Sequence, residues 1–178
     1  LRLYCGNRDI DTFTPQSLLL QREKSHRWSA TAKMEFCPML KGQQAGLVCY
    51  YDSDAFIKFC VIFIDGIKLR VIRRIAGQTE CIAQYDNPKS DVPYYLRIET
   101  SGLRRSFFYS VDSSQWDLVG SIEDASFLSD EGVERATGRW AFTGTMTGIY
   151  AYDGGTGQII PADFDWFEIA DSLLHNNK

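Results

Sequence analysis

The 178-residue chain is 44% hydrophobic and 24% charged, a balance that fits one globular domain with a sizeable core and excludes a disordered polymer. Its formal net charge of −4 is dispersed along the sequence, so nothing draws it electrostatically to nucleic acid. The longest apolar run, residues 59–64, falls far short of a membrane span and suits a buried strand.

In chain order, the opening "LRLYCGNRD" lacks a methionine and reads as a fragment or a processed product. Residues 28–36, "WSATAKMEF", alternate strictly: Trp28, Ala30, Ala32, Met34 and Phe36 share one face, and Ser29, Thr31, Lys33 and Glu35 the other. That is a half-buried antiparallel strand. Further strand-like segments follow at 45–51, 56–63, 68–75, 94–100, 105–111, 147–153 and 162–169. Turn signals separate them: "YDSDA", "FIDGI", "DNPKSDVP", "VDSSQW" and "DGGTG". No segment carries a convincing helical period; "SIEDASFLSD" predicts a helical turn at most, capped by Ser121 or Asp124. Many short strands with tight turns, no repeat and no linker predict a single all-β domain over residues 1–178. Its architecture is an antiparallel two-sheet β-sandwich of the jelly-roll kind.

The five cysteines (Cys5, Cys37, Cys49, Cys60 and Cys81) form no CxxC pair and are odd in number, which argues against a disulfide framework and against zinc. Each lies in or beside an apolar segment and is expected to be a reduced thiol acting as a small hydrophobe. His26 and His175 have no metal-ligand spacing, and His175 sits in a polar tail expected to fray.

The stretch 162–169, "ADFDWFEI", brings two carboxylates close together. On a regular strand Asp163 and Asp165 would share a face with Phe167 and Ile169, opposite Phe164, Trp166 and Glu168. Neither face is cleanly polar, so the C-terminal half is expected to be buried on both sides, with the aspartates nearer a rim. A retaining glycosidase pair stands about 5–5.5 Å apart, but it must flank a substrate, and neighbours on one strand face flank nothing. Two readings stay open: an aspartate accepting hydrogen bonds at a sheet edge, and calcium ligation through Asp165. The turn "SVDSSQWDLVG" predicts a hairpin with Asp112–Ser114 at its tip and Trp116 packing across a sheet. Tyr50–Tyr51, Tyr94–Tyr95 and Phe107–Phe108 each place one ring inward and one outward; the outward rings are either a sugar-stacking platform or the scattered exposed aromatics ordinary on a sheet. There is no GxSxG, HExxH, P-loop or dinucleotide fingerprint, so the residues define no self-contained active site and no metal-binding motif.

The segments "DASFLSDEG" and "FTGTMTGIYAYDGGTGQIIPADFDWFEI", with "LRLYCG", "SLLLQRE", "TAKMEF" and "AGLVCYYDSDAF" before them, resemble the C-terminal domain of glycoside hydrolase family 43 β-xylosidases and α-L-arabinofuranosidases. The resemblance spans nearly the whole chain in order, although no single motif decides it. It implies a concanavalin A-like sandwich with no catalytic residue of its own, the family's catalytic carboxylates lying on an N-terminal five-bladed propeller. It implies that this domain packs on that propeller in the same polypeptide and helps close a pocket for a xylo-oligosaccharide. The aromatic of the "FTG" segment, here Phe142, would touch sugar; core packing at a strand start is the competing reading. The chain departs from the family in "GVERATGRWAF", where Arg135, Arg139 and Trp140 replace a plainer stretch, so loop geometry and sugar preference are not carried over. The resemblance implies no cofactor, with calcium left open, and allows a homo-oligomer; with the unpaired cysteines it points to the cytoplasm. A free-standing lectin-like carbohydrate-binding module and a purely structural assembly domain are the rival expectations.

Overall fold

In the computed structural model, which describes residues 1–171, the period-two segments become strands of two antiparallel sheets. The elements run β1 (Arg2–Tyr4), β2 (Leu18–Arg22), β3 (Arg27–Phe36), β4 (Gln44–Asp52), β5 (Ala55–Phe63), β6 (Ile67–Ile75), β7 (Gln78–Asp86), β8 (Tyr94–Ser101), β9 (Arg104–Ser110) and β10 (Asp117–Ile122). A 3₁₀ turn at Ser126–Leu128, helix α1 (Asp130–Thr137), β11 (Met146–Tyr152) and β12 (Pro161–Asp171) complete the described chain. The first sheet is ordered β1-β12-β3-β8-β9-β10 and the second β2-β11-β4-β5-β6-β7. Neither closes on itself, and their inner faces pack as a sandwich. The tail with His175 lies outside the described residues.

The core follows the alternation. In β3, Trp28, Ala30, Ala32, Met34 and Phe36 are buried and their neighbours lie on the wetter face. Leu47, Cys49, Ile57, Phe59 and Val61 of the second sheet face Leu96, Ile98 and Phe107 of the first. The rings of Phe59 and Phe107 meet across the gap with centroids 5.6 Å apart. Strands β4 and β5 are buried on both faces because a second cluster covers their outer side. There Ile10, from the segment between β1 and β2, packs with Val48, Phe56, Cys60, Ile62 and Tyr150. Lys58 is only 4% exposed on that face and donates to the Asp9 carboxylate at 2.6 Å, so the buried charge is paired.

The structure departs from the sequence reading in four places. Residues 130–137 form an α-helix of two turns, N-capped by Ser129, whose hydroxyl oxygen accepts from the Gly132 amide at 3.0 Å. Asp124 instead serves the 3₁₀ turn, accepting from the Ser126 amide at 2.9 Å. Strands β1, β2 and β7 extend the sheets beyond the segments recognised by alternation, whereas β10 is the second strand of the expected hairpin. Cys37 and Cys81 are exposed, whereas Cys5, Cys49 and Cys60 are buried; all five are free thiols. Finally, β12 carries a bulge between Phe164 and Trp166 in its ladder with β3. The extra residue, Asp165, inverts the alternation. Phe164, Phe167 and Ile169 therefore all turn to the core, while Asp163, Trp166 and Glu168 turn out. The C-terminal half of β12 is consequently wet on its outer side, and Trp166 is 38% exposed.

Candidate functional site: an aromatic loop between α1 and β11

Gly138, at φ 70°, stops α1 in the left-handed conformation that lacks a steric penalty only for glycine. From there residues 139–145 run to β11 as an irregular loop outside the strands, with Gly144 at φ 68°. Their side chains alternate: Ala141 is buried, and Trp140 and Phe142 project to solvent at 86% and 76% exposure. The two rings meet edge to face, with centroids 5.9 Å apart and planes at 66°.

A loop carrying two such rings needs holding, and several elements supply it. Tyr51, at the end of β4, donates its hydroxyl hydrogen to Asp130 Oδ1 at 2.6 Å and accepts the Thr143 amide at 3.1 Å. Asp130 Oδ1 also accepts the Gly144 amide at 3.0 Å. Burial, followed by that bond to Asp130, raises the Tyr51 pKa, so the phenol stays a donor. From α1, Glu134 accepts the Ala141 amide at 3.2 Å. From β2, the Arg22 guanidinium donates to the Thr143 carbonyl. Beyond it, the Thr145 hydroxyl donates to the Leu128 carbonyl at 2.6 Å, and the Glu23 amide donates to the Thr145 carbonyl at 3.1 Å. On the outer side, Arg139 Nη2 reaches Asp52, the last residue of β4, at 3.1 Å and Asp54 in the following turn at 2.9 Å. These contacts immobilise the backbone on either side of Phe142 and leave its ring free.

Trp140, Phe142, Arg22, Tyr51, Asp52 and Arg139 line a shallow cleft of about 460 Å³. Its carboxylates, Asp52 together with Asp130 beneath, already accept bonds from Arg139, Tyr51 and the loop backbone. The arrangement therefore presents two apolar rings to solvent beside carboxylates that are already bonded within the fold.

Sequence reasoning singled out Phe142, and the structure places it exposed on this loop and not in the core. It placed Asp163 and Asp165 together; the structure separates them by the bulge and gives each its own cation. Asp163 accepts from Arg2 at 2.7 and 2.8 Å and Asp165 from Lys33 at 2.7 Å. Among the described residues, no three His, Cys, Asp or Glu side chains cluster as a metal site. Two outward rings of the aromatic pairs have ring partners: Tyr50 stacks on Phe56 and Tyr95 tilts against Trp166. Trp116 lies beneath the Arg97 guanidinium, 3.7 Å from its ring centroid. The clasp of Tyr51, Asp130 and Arg22 was missed, because no local pattern links positions so far apart in the chain.

A family model described as the beta xylosidase C-terminal concanavalin A-like domain matches residues 1–170. The chain belongs to this family. The β-xylosidase of Bacillus subtilis (strain 168) is 28% identical over 172 residues, which cover 94% of this chain and 31% of that protein. Among solved structures, the GH43 protein BlXynB of Bacillus licheniformis aligns with 96% of this chain at TM-score 0.89 and 38% identity. The xylan β-1,4-xylosidase of Bacillus halodurans aligns equally far at TM-score 0.86 and 26% identity. The chain spans about a third of the length of each of these relatives.

Proposed function

We propose that this domain is the accessory C-terminal sandwich of a larger xylan-degrading glycosidase, a β-xylosidase or α-L-arabinofuranosidase. It packs on a catalytic propeller of the same polypeptide and completes that propeller's sugar pocket. One observation carries the reading: Phe142, 76% exposed, stands on a loop whose backbone is tied down on both sides. A large ring held rigidly in water loses little entropy when it meets a partner, and it removes water from that partner's surface. The relatives support the sugar class, since they are xylosidases about three times as long as this chain. The role of Phe142 is apolar contact with the leaving-group sugar; hydrolysis itself is performed by carboxylates of the propeller, one activating water and one protonating the leaving oxygen. The five free thiols support a reducing, cytoplasmic setting.

The test is kinetic and uses the full polypeptide. Phe142→Ala is expected to lower kcat/KM on xylobiose about tenfold or more, as removing a buried aromatic contact does. Unchanged kinetics would overturn the reading. A free-standing carbohydrate-binding module is the alternative, and Tyr95 beside Trp166 on the outer face of the first sheet is the surface it would use. It predicts heat on titrating the isolated domain with xylo-oligosaccharides, where the accessory role predicts none at millimolar sugar.

A further inference from the structure

We infer that Trp140 is a specificity residue that contacts the second sugar on the leaving-group side, one unit beyond the sugar touched by Phe142. The inference rests on the reading of Phe142 as a sugar contact and extends it outward along the substrate.

Trp140 does nothing for the fold that its exposure can explain. Of the four tryptophans, Trp28 is buried in the core, Trp116 is covered by Arg97 and Trp166 leans on Tyr95. Trp140 is 86% exposed, and its ring partner is Phe142, itself exposed. An indole left this open removes most of its apolar surface from water only when something docks on it. The backbone that carries it is nevertheless held on both sides. Arg139 before it is held by Asp52 and Asp54, and Ala141 after it is buried with its amide on Glu134.

The geometry of the pair selects the partner. Rings inclined at 66° cannot both lie flat against one pyranose, whose apolar C–H faces are parallel. Two consecutive pyranoses can meet them, one on each ring, if the chain turns between units. β-1,4-linked xylose has no hydroxymethyl group to lock neighbouring rings, and its chain twists from unit to unit, so successive faces point in different directions. The centroid separation of 5.9 Å is of the size of one sugar unit. With the terminal unit in the propeller's pocket, Phe142 then meets the first leaving-group sugar and Trp140 the second. The surrounding cleft of about 460 Å³ is open, as a site for the continuing chain must be.

Xylobiose and xylotriose separate the two positions, because only the trimer has a unit for Trp140. In the full polypeptide, the ratio of kcat/KM for xylotriose to that for xylobiose is expected to fall about three- to tenfold in Trp140→Ala, through KM, the size of effect one aromatic contact supplies. Trp140→Phe, which keeps a ring, is expected to hold most of the ratio. Phe142→Ala is expected to lower both substrates together. A ratio unchanged in Trp140→Ala, while Phe142→Ala lowers both, overturns the role of Trp140 and leaves pocket closure standing. Wild-type kinetics on both substrates in Phe142→Ala overturns pocket closure, and this inference with it.

Discussion

Replacing Glu23 by glutamine tests how the aromatic loop is anchored to the body of the sandwich. Glu23 follows β2 in the second sheet and receives Arg105 of β9 in the first. Arg105 Nη2 donates to Glu23 Oε2 at 2.9 Å and Nη1 to Oε1 at 3.2 Å, a bidentate pair. Arg105 also donates to Thr100 Oγ1 at 3.0 Å and lies 5.1 Å from the centroid of the Trp28 ring. The side chains are 7% and 12% exposed, so Glu23→Gln leaves a guanidinium charge inside the protein with a neutral partner. Breaking a buried pair from one side costs about 3–5 kcal/mol. Both residues also line a polar cleft of about 440 Å³ that admits water, which places the expected cost near the lower figure, about 3 kcal/mol.

For a domain of this size that corresponds to a fall in Tm of about 6–12 °C. Differential scanning calorimetry of the isolated domain reads it directly. Replacing both partners, as Glu23→Leu with Arg105→Met, is expected to recover most of the loss, because the desolvation cost disappears with the charges. A Glu23→Gln variant melting within about 2 °C of wild type would refute the argument. Water in the cleft would then solvate Arg105, and the pair would count as a surface bridge of under about 1 kcal/mol.

Two further outcomes follow from charge and burial. Arg2 and Lys33, through hydrogen bonds first and charge second, hold Asp163 and Asp165 below the ordinary carboxylate range. Their stabilisation is thus fully present above the usual carboxylate pKa and is lost as pH falls through the lower folded values; carboxyl-carbon NMR titration showing ordinary or raised midpoints would contradict it. Burial pushes the thiols up to about 12 at Cys5 and about 11 at Cys49 and Cys60, while Cys37 and Cys81 are exposed. A thiol-specific reagent at pH 8 is expected to label two cysteines in the native domain and five in denaturant, and rapid labelling of a third would argue against the buried assignments.

Alternation made β3 and β5 legible because a sheet face packed against another sheet must repeat every second residue. Strand β7 escaped notice for the same reason inverted. It is an edge strand, paired only with β6, and its residues Glu80, Gln84 and Asp86 bond Arg73, Arg70 and Lys68 rather than a core. An edge that must resist further pairing carries charge, and charge hides the period. Helix α1 escaped because eight residues with one buried side chain, Val133, offer no period to find. Its signals are its ends, Ser129 and Gly138. The bulge at Asp165 is the harder case: one inserted residue flips every later side chain, so the pattern of β12 was read correctly up to Phe164 and wrongly after it. Phe142 was found through resemblance alone; nothing in its local pattern separates an exposed ring from one that opens a strand.

The contacts around the loop explain why its exposed rings sit on this fold rather than on a free tether. Contact surfaces function when their supporting shell fixes them to a fraction of an ångström, and long surface loops seldom do so unaided. Here the bonds converge from separate elements: Tyr51 from β4, Arg22 from β2 and Asp130 with Glu134 from α1. Most of the partners belong to the second sheet or the helix, so on their own they would let the loop ride with one layer of the sandwich. Arg105 removes that freedom, since it rises from the first sheet to grip Glu23, whose amide holds Thr145. Both layers thereby fix the loop, and a ring 76% exposed keeps one position without burying itself. Ala141 and Thr143 contribute backbone amides to that anchoring, so it does not depend on which side chains they carry.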